Sequence, residues 1–168
     1  MACVKVVVLG LGAVGKSALS IRFVQNTFIP DYEPTISNTY KKTTTVDGKT
    51  YSVDILDTAG MDNNDTMKPV LYRQRDCFLF IYAINDRASF ESIQKIHDEV
   101  LRVNDKNKVP CVLCGNKSDL EDQRAIKVEE GRDLAKQINA VFLETSALSG
   151  SNVQEAMTEA VREYVTPK

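Results

Sequence analysis

Residues 4–23 read VKVVVLGLGAVGKSALSIRF, and this stretch limits the possible folds more than any other. Val4–Leu9 is a near-continuous β-branched run, as expected of a strand buried on both faces. A glycine-rich turn follows. Lys16–Gln25 then places Ala18, Ile21, Phe23 and Val24 on a roughly helical apolar stripe. A doubly buried strand needs helices above and below it, and the loop leaves at the end where such sheets bind ligands.

The rest of the chain agrees. Residues 26–37 are polar, contain Pro30 and Pro34, and read as a long loop. TYKKTTTV and KTYSVDIL flank Asp47-Gly48, which predicts a β-hairpin. Beyond residue 76, the runs CFLFIYAI, VPCVLCGN and AVFLET alternate with helical segments over Ser89–Val103, Val128–Gln137 and Val153–Tyr164. The expectation is one α/β domain over residues 1–168. Its sheet is mostly parallel, with one antiparallel edge strand from the hairpin and helices on both faces.

Composition removes several function classes. Formal net charge is −2 with 26% charged residues, so no basic field points to nucleic acid. No apolar run approaches the ~20 residues of a membrane span, and the N-terminus shows no signal-peptide pattern. The four cysteines have no disulfide-framework spacing, which suggests a reducing, cytoplasmic compartment. Cys111 and Cys114 form a C-x-x-C, but on a strand residues three apart point to opposite faces. With His97 the only histidine, a zinc site has almost no ligands to draw on. Both thiols read as core residues.

The chemistry collects just after strands. GLGAVGKS (Gly10–Ser17) satisfies G-x-x-x-x-G-K-S between a strand and a helix. Its glycines let the backbone curl so that successive N–H groups, through Gly12, Ala13, Val14 and Gly15, face a polyphosphate. Lys16 adds a point charge for the outer phosphates, and Ser17 offers a hard oxygen suited to Mg²⁺. The helix N-terminus adds partial positive charge. The plain reading, a glycine turn capping an ordinary helix, ignores this context.

Phosphate binding does not choose the base, since ATP-using kinases carry the same loop. GNKSD (Gly115–Asp119) follows another strand. Guanine presents N1–H and N2–H donors on one edge, which the Asp119 carboxylate accepts as a pair. Adenine presents a bare N1 there, and that mismatch leaves a buried group unpaired. A polar turn would use the same residues, but not beside a phosphate loop. ETSAL (Glu144–Leu148) follows the last strand. Alone it could be a helix entry; beside 116–119, the amides of Ser146 and Ala147 can meet the base oxygen.

GLGAVGKS, DTAG (Asp57–Gly60), NKSD and TSA, in this order and spacing, resemble a Ras-superfamily small GTPase over nearly the whole chain. YEPTISNTY (Tyr32–Tyr40) is similar to the Ras/Rap/Rheb branch rather than Rab, Rho or Arf. The resemblance implies the P-loop NTPase fold, with a six-stranded sheet and five helices. It implies GTP and GDP as bound nucleotides and Mg²⁺ held by Ser17 and Thr35 directly and by Asp57 through water. It implies the Gly60 N–H at the γ-phosphate and Phe28 packed on the guanine. Tyr32, Ala18, Asn116, Lys117 and Leu120 join the nucleotide site on the same ground. The implied catalytic set is Lys16, Thr35, Gly60 and position 61. Exchange factors, activating proteins and effectors would act through residues 28–40 and 57–75.

Departures from the family pattern are as informative. Met61 stands where the branch usually has Gln, and DNNDT follows it. Leu148 replaces a common Lys, Pro30 offers no carboxylate near the ribose, and Ser37 and Asn38 replace acidic residues used toward basic effectors. No Cys-a-a-X is present, so membrane attachment at the cytoplasmic face would need a lipidated tail absent from this chain. Three readings compete: a GTP/GDP switch with slow hydrolysis, a GTP-holding module with negligible hydrolysis, and a P-loop kinase or ATPase, against which NKSD argues.

Overall fold

The computed structural model describes residues 2–11, 14–25, 38–57, 72–73 and 75–166, with backbone only at 17, 24, 25, 38 and 39. Element order is β1 (Ala2–Leu9), α1 (Lys16–Gln25), β2 (Asn38–Val46), β3 (Lys49–Asp57), β4 (Cys77–Ala83), α2 (Arg87–Asn104), β5 (Cys111–Asn116), α3 (Val128–Gln137), β6 (Val141–Glu144) and α4 (Val153–Val165). A 3-10 turn covers Glu121–Gln123. Of the five expected helices, four lie among the described residues. The segment that would carry the fifth falls largely outside them, with Tyr72 and Arg73 helical.

The six strands form one sheet in the order β2-β3-β1-β4-β5-β6. Only β2 runs antiparallel, paired with β3 from Asn38↔Asp57 to Val46↔Lys49. Asp47 and Gly48 take φ of 50° and 83°, the left-handed pair that a two-residue hairpin turn requires. β1 lies inside the sheet with parallel neighbours β3 and β4. Connections leave β1 in opposite directions, which opens a crevice at its carboxyl end. Gly10 sits there.

Strand parity divides the core. Val4, Val6, Val8, Ile55, Leu79 and Cys114 pack with Leu19 and Phe23 of α1 and with Met157 and Val161 of α4. Val7, Leu56, Phe80, Tyr82, Leu113 and Cys111 pack with Ile93 and Val100 of α2 and with Leu134 of α3. Successive valines of β1 thus serve opposite faces, and each fully buried aliphatic side chain contributes about 1.5–3 kcal/mol. Cys111 and Cys114 also part to opposite faces, both free and buried. Burial raises the Cys114 thiol well above its ordinary pKa. No cluster of metal-ligating side chains occurs among the described residues, and none of their helices is long and apolar enough to cross a membrane.

Candidate functional site

The loop after β1 turns directly into α1, and Lys16 folds back across it. Its ammonium is buried and donates to the carbonyls of Gly10 and Leu11. Asp57 ends β3 fully buried, and its parallel partner Val8 lies just before Gly10. The charged end of the site therefore rests on two adjacent strands. Ser17 is the second residue of α1.

The second half grows from β5 and β6. Gly115 accepts from the Thr145 N–H at 2.9 Å, and Thr145 in turn accepts from the Ser118 N–H at 3.0 Å. Lys117 adopts φ of 64°, a left-handed backbone that turns the chain sharply after the strand. Asn116 is 1% exposed and joins three segments. Its amide donates to the Val14 carbonyl at 2.9 Å, and its Oδ1 accepts from the Thr145 hydroxyl at 3.0 Å. Gly15 leaves room for this bridge: with φ of +92°, a Cβ there would lie 2.5 Å from the Asn116 amide nitrogen. The loop after β1 and the loops after β5 and β6 are one hydrogen-bonded unit.

Asp119 receives the Ser146 hydroxyl on Oδ1 at 2.7 Å, which fixes the carboxylate by a charge-assisted bond. The Ser146 N–H donates to Ser151 O at 3.0 Å. Behind the loops, Arg124 grips Glu144 in bidentate fashion, at 2.7 and 2.8 Å, and also Glu121. These carboxylates raise the Arg124 pKa, Glu144 contributing most. Asn152 donates to the Glu144 carbonyl at 2.9 Å and anchors the start of α4.

These elements enclose a cleft of about 190 Å³, lined by Gly15, Ala18, Asn116, Lys117, Asp119, Leu120, Ala147 and Leu148. The sequence nominated all but the last of these as binding residues and singled out Leu148 as a departure. Leu148 is 54% exposed, an apolar edge where the resemblance leads one to expect a cation. Gly12, Ala13, Phe28, Tyr32, Thr35, Gly60 and Met61 lie outside the described residues, as do most of 28–40 and 57–75. Sequence reasoning missed Thr145, although it lies within ETSAL, and gave no role to Arg124. A single hydroxyl carries little signal until the register of β5 and β6 places it against Asn116.

The Ras family pattern matches residues 5–166. The chain belongs to the Ras family. It is similar to the Ras-like protein rasB of Dictyostelium discoideum, 48% identical over 95% of this chain and 81% of that protein. It is 47% identical to rasC of the same organism, over 95% of this chain and 85% of that protein. Ras-like protein 2 of Mucor circinelloides f. lusitanicus is 43% identical over 95% of this chain and 80% of its own length. Ras membership makes the chain a small GTPase, which binds GTP and GDP and hydrolyses GTP. The six-stranded sheet with its one antiparallel strand is the expected fold.

Proposed function

We propose that this Ras-family chain is a two-state signalling switch whose intrinsic hydrolysis is slow because Met61 stands in the water-orienting position. The base end of the reading is carried by one observation: Asp119 is held by Ser146 at the mouth of a cleft that also contains Gly15. In this reading Asp119 accepts guanine N1–H and N2–H, the Ala147 amide meets the base oxygen, and Lys16 meets the outer phosphates. Switch segments 28–40 and 57–75 present the nucleotide state to exchange factors, activating proteins and effectors.

Ser17 and Asp57 fit a magnesium ion by donor chemistry, since a hydroxyl and a carboxylate are hard oxygen ligands. Asp57 supports this by its position, buried at the end of β3 against the strand that leads into the phosphate loop. Thr35 completes the proposed set. When bound, the ion neutralises charge on the phosphate oxygens. Removing it with EDTA should speed GDP release severalfold in a fluorescent-nucleotide assay; release indifferent to EDTA rejects this assignment.

Phosphoryl transfer needs the attacking water held in line with the γ-phosphate. A glutamine amide both accepts from and donates to that water, as in Ras itself, whereas Met61 offers only a weak sulfur acceptor. Nucleotide binding does not draw on residue 61, so affinity and turnover separate. Single-turnover hydrolysis without any partner should be about tenfold faster in Met61→Gln, with GTP affinity little changed. Equal rates would mean that something other than residue 61 limits the chemistry. Undetectable decay in the wild type favours the second reading, a GTP-holding module, with hydrolysis supplied by a partner's side chain. Attachment to the cytoplasmic face of a membrane through a lipidated tail belongs to the same family resemblance.

A further inference from the structure

Arg22 belongs to none of the site's motifs, yet it reaches the site's edge. From α1 its Nη1 donates to the Leu148 carbonyl at 3.5 Å and its Nη2 to the Ser149 carbonyl at 3.4 Å. The guanidinium also lies against Gly150, where a Cβ would stand 2.5 Å from Nη2, 3.1 Å from Cζ and 3.2 Å from Nε. Gly150 has φ of +83°, so both its backbone and the missing side chain suit this approach. The Nε is buried without a hydrogen-bond partner. Such a group costs stability, so the arrangement is not simply the most comfortable one for an arginine.

The contact continues inward. The Ser149 N–H donates to Ser146 Oγ at 3.1 Å, and that hydroxyl donates to Asp119 Oδ1 at 2.7 Å. The loop is otherwise closed on itself, with Gly150 N–H bonded to Ser146 O at 2.8 Å and Ser146 N–H to Ser151 O. A shift of the 148–149 carbonyls therefore moves the Ser149 amide that orients the Ser146 hydroxyl. We propose that Arg22 is a positioning residue for nucleotide retention: from α1 it fixes the 148–150 loop, and through Ser149 and Ser146 it sets the base-pairing carboxylate of Asp119. The inference rests on the reading of Asp119 as the guanine acceptor. It makes α1, which begins at the phosphate loop, a support for the base end as well.

The test compares wild type with Arg22→Met, which keeps an apolar stem and no donor, and Arg22→Lys, which keeps the charge and one donor group. Release of a fluorescent GDP and single-turnover GTP hydrolysis are measured on each. Arg22→Met should release GDP about tenfold faster, with hydrolysis of already bound GTP unchanged, and Arg22→Lys should recover part of the loss. Equal release in all three proteins overturns the proposal. So does hydrolysis that changes in step with release, absence of any recovery in Arg22→Lys, or loss of folding in Arg22→Met, since each assigns Arg22 a merely structural role. A wild type that does not retain GDP at all would instead remove the guanine-site reading beneath it.

Discussion

The loops after β5 and β6 and the α2 side of the core both bury polar groups, but they treat them in opposite ways. At the loops, Asn116, Thr145 and Ser146 are almost fully buried and each is paired to another part of the site. On the α2 side, the Tyr82 hydroxyl and both ring nitrogens of His97 are buried with no hydrogen bond. Tyr82 instead sets its ring edge-on to Phe90 at 4.9 Å, and His97 sets its ring edge-on to Phe80 at 5.7 Å. Paired buried groups are stiff and define one geometry; unpaired ones cost stability and define little. A binding loop needs the first property, and a core can tolerate the second.

The most disruptive test of this contrast is Asp119→Asn. In the proposed reading it replaces the acceptor pair offered to guanine with a mixed donor and acceptor, which suits xanthine better. GTP affinity should fall by on the order of a hundredfold or more, while xanthosine triphosphate binding improves. Competition binding measures both, and unchanged relative affinities would break the base assignment. Next in size is Thr145→Val, which preserves shape but leaves Asn116 Oδ1 without its donor. A loss of about 1–3 kcal/mol in unfolding free energy is expected, together with faster GDP release. A variant as stable as wild type would show that the loop network is not the stiff element described above.

The smallest effect belongs to His97. Burial lowers its pKa below the ordinary 6.5, against a smaller opposing influence of Asp98. Because the folded value is depressed, this stabilising contribution is fully present above the unfolded pKa near 6.5. It is lost as pH falls from there through the folded pKa, with a slope of at most about 1.4 kcal/mol per pH unit. His97→Leu should abolish that slope and be no less stable at pH 7, since it removes two unpaired nitrogens. Urea unfolding at pH 7 and pH 5.5 checks this. A variant clearly weaker at pH 7 would mean that His97 is held by more than packing.

How much of this was legible depends on whether the physics is local. The helix from Lys16 to Gln25 and the Asp47-Gly48 hairpin follow from neighbours in sequence, and both occur where expected. Helix α2 begins at Arg87, before the expected Ser89, because Asp86 accepts the Ser89 N–H and caps a longer turn. Strand β5 begins at Cys111, although the apolar run starts at Val109. Pro110 lacks an N–H for the ladder, and only its carbonyl pairs, with the Phe78 N–H. The motif residues of the cleft were legible because their order and spacing carry chemistry. Thr145, Arg124 and Arg22 were not, since each acts on a segment remote in sequence.

The strand order also has a consequence in time. The loop after β1 leaves the ribosome near the start of synthesis, whereas Asn116, Asp119 and Ser146 follow Gly10 by more than a hundred residues. At about 5–20 residues per second, translation takes on the order of ten seconds to cover that distance. β5 and β6 form the far edge of the sheet, beyond β4, so the cleft cannot close before they are made. During every round of translation, the loop after β1 exists seconds before the strands that complete the cleft around it.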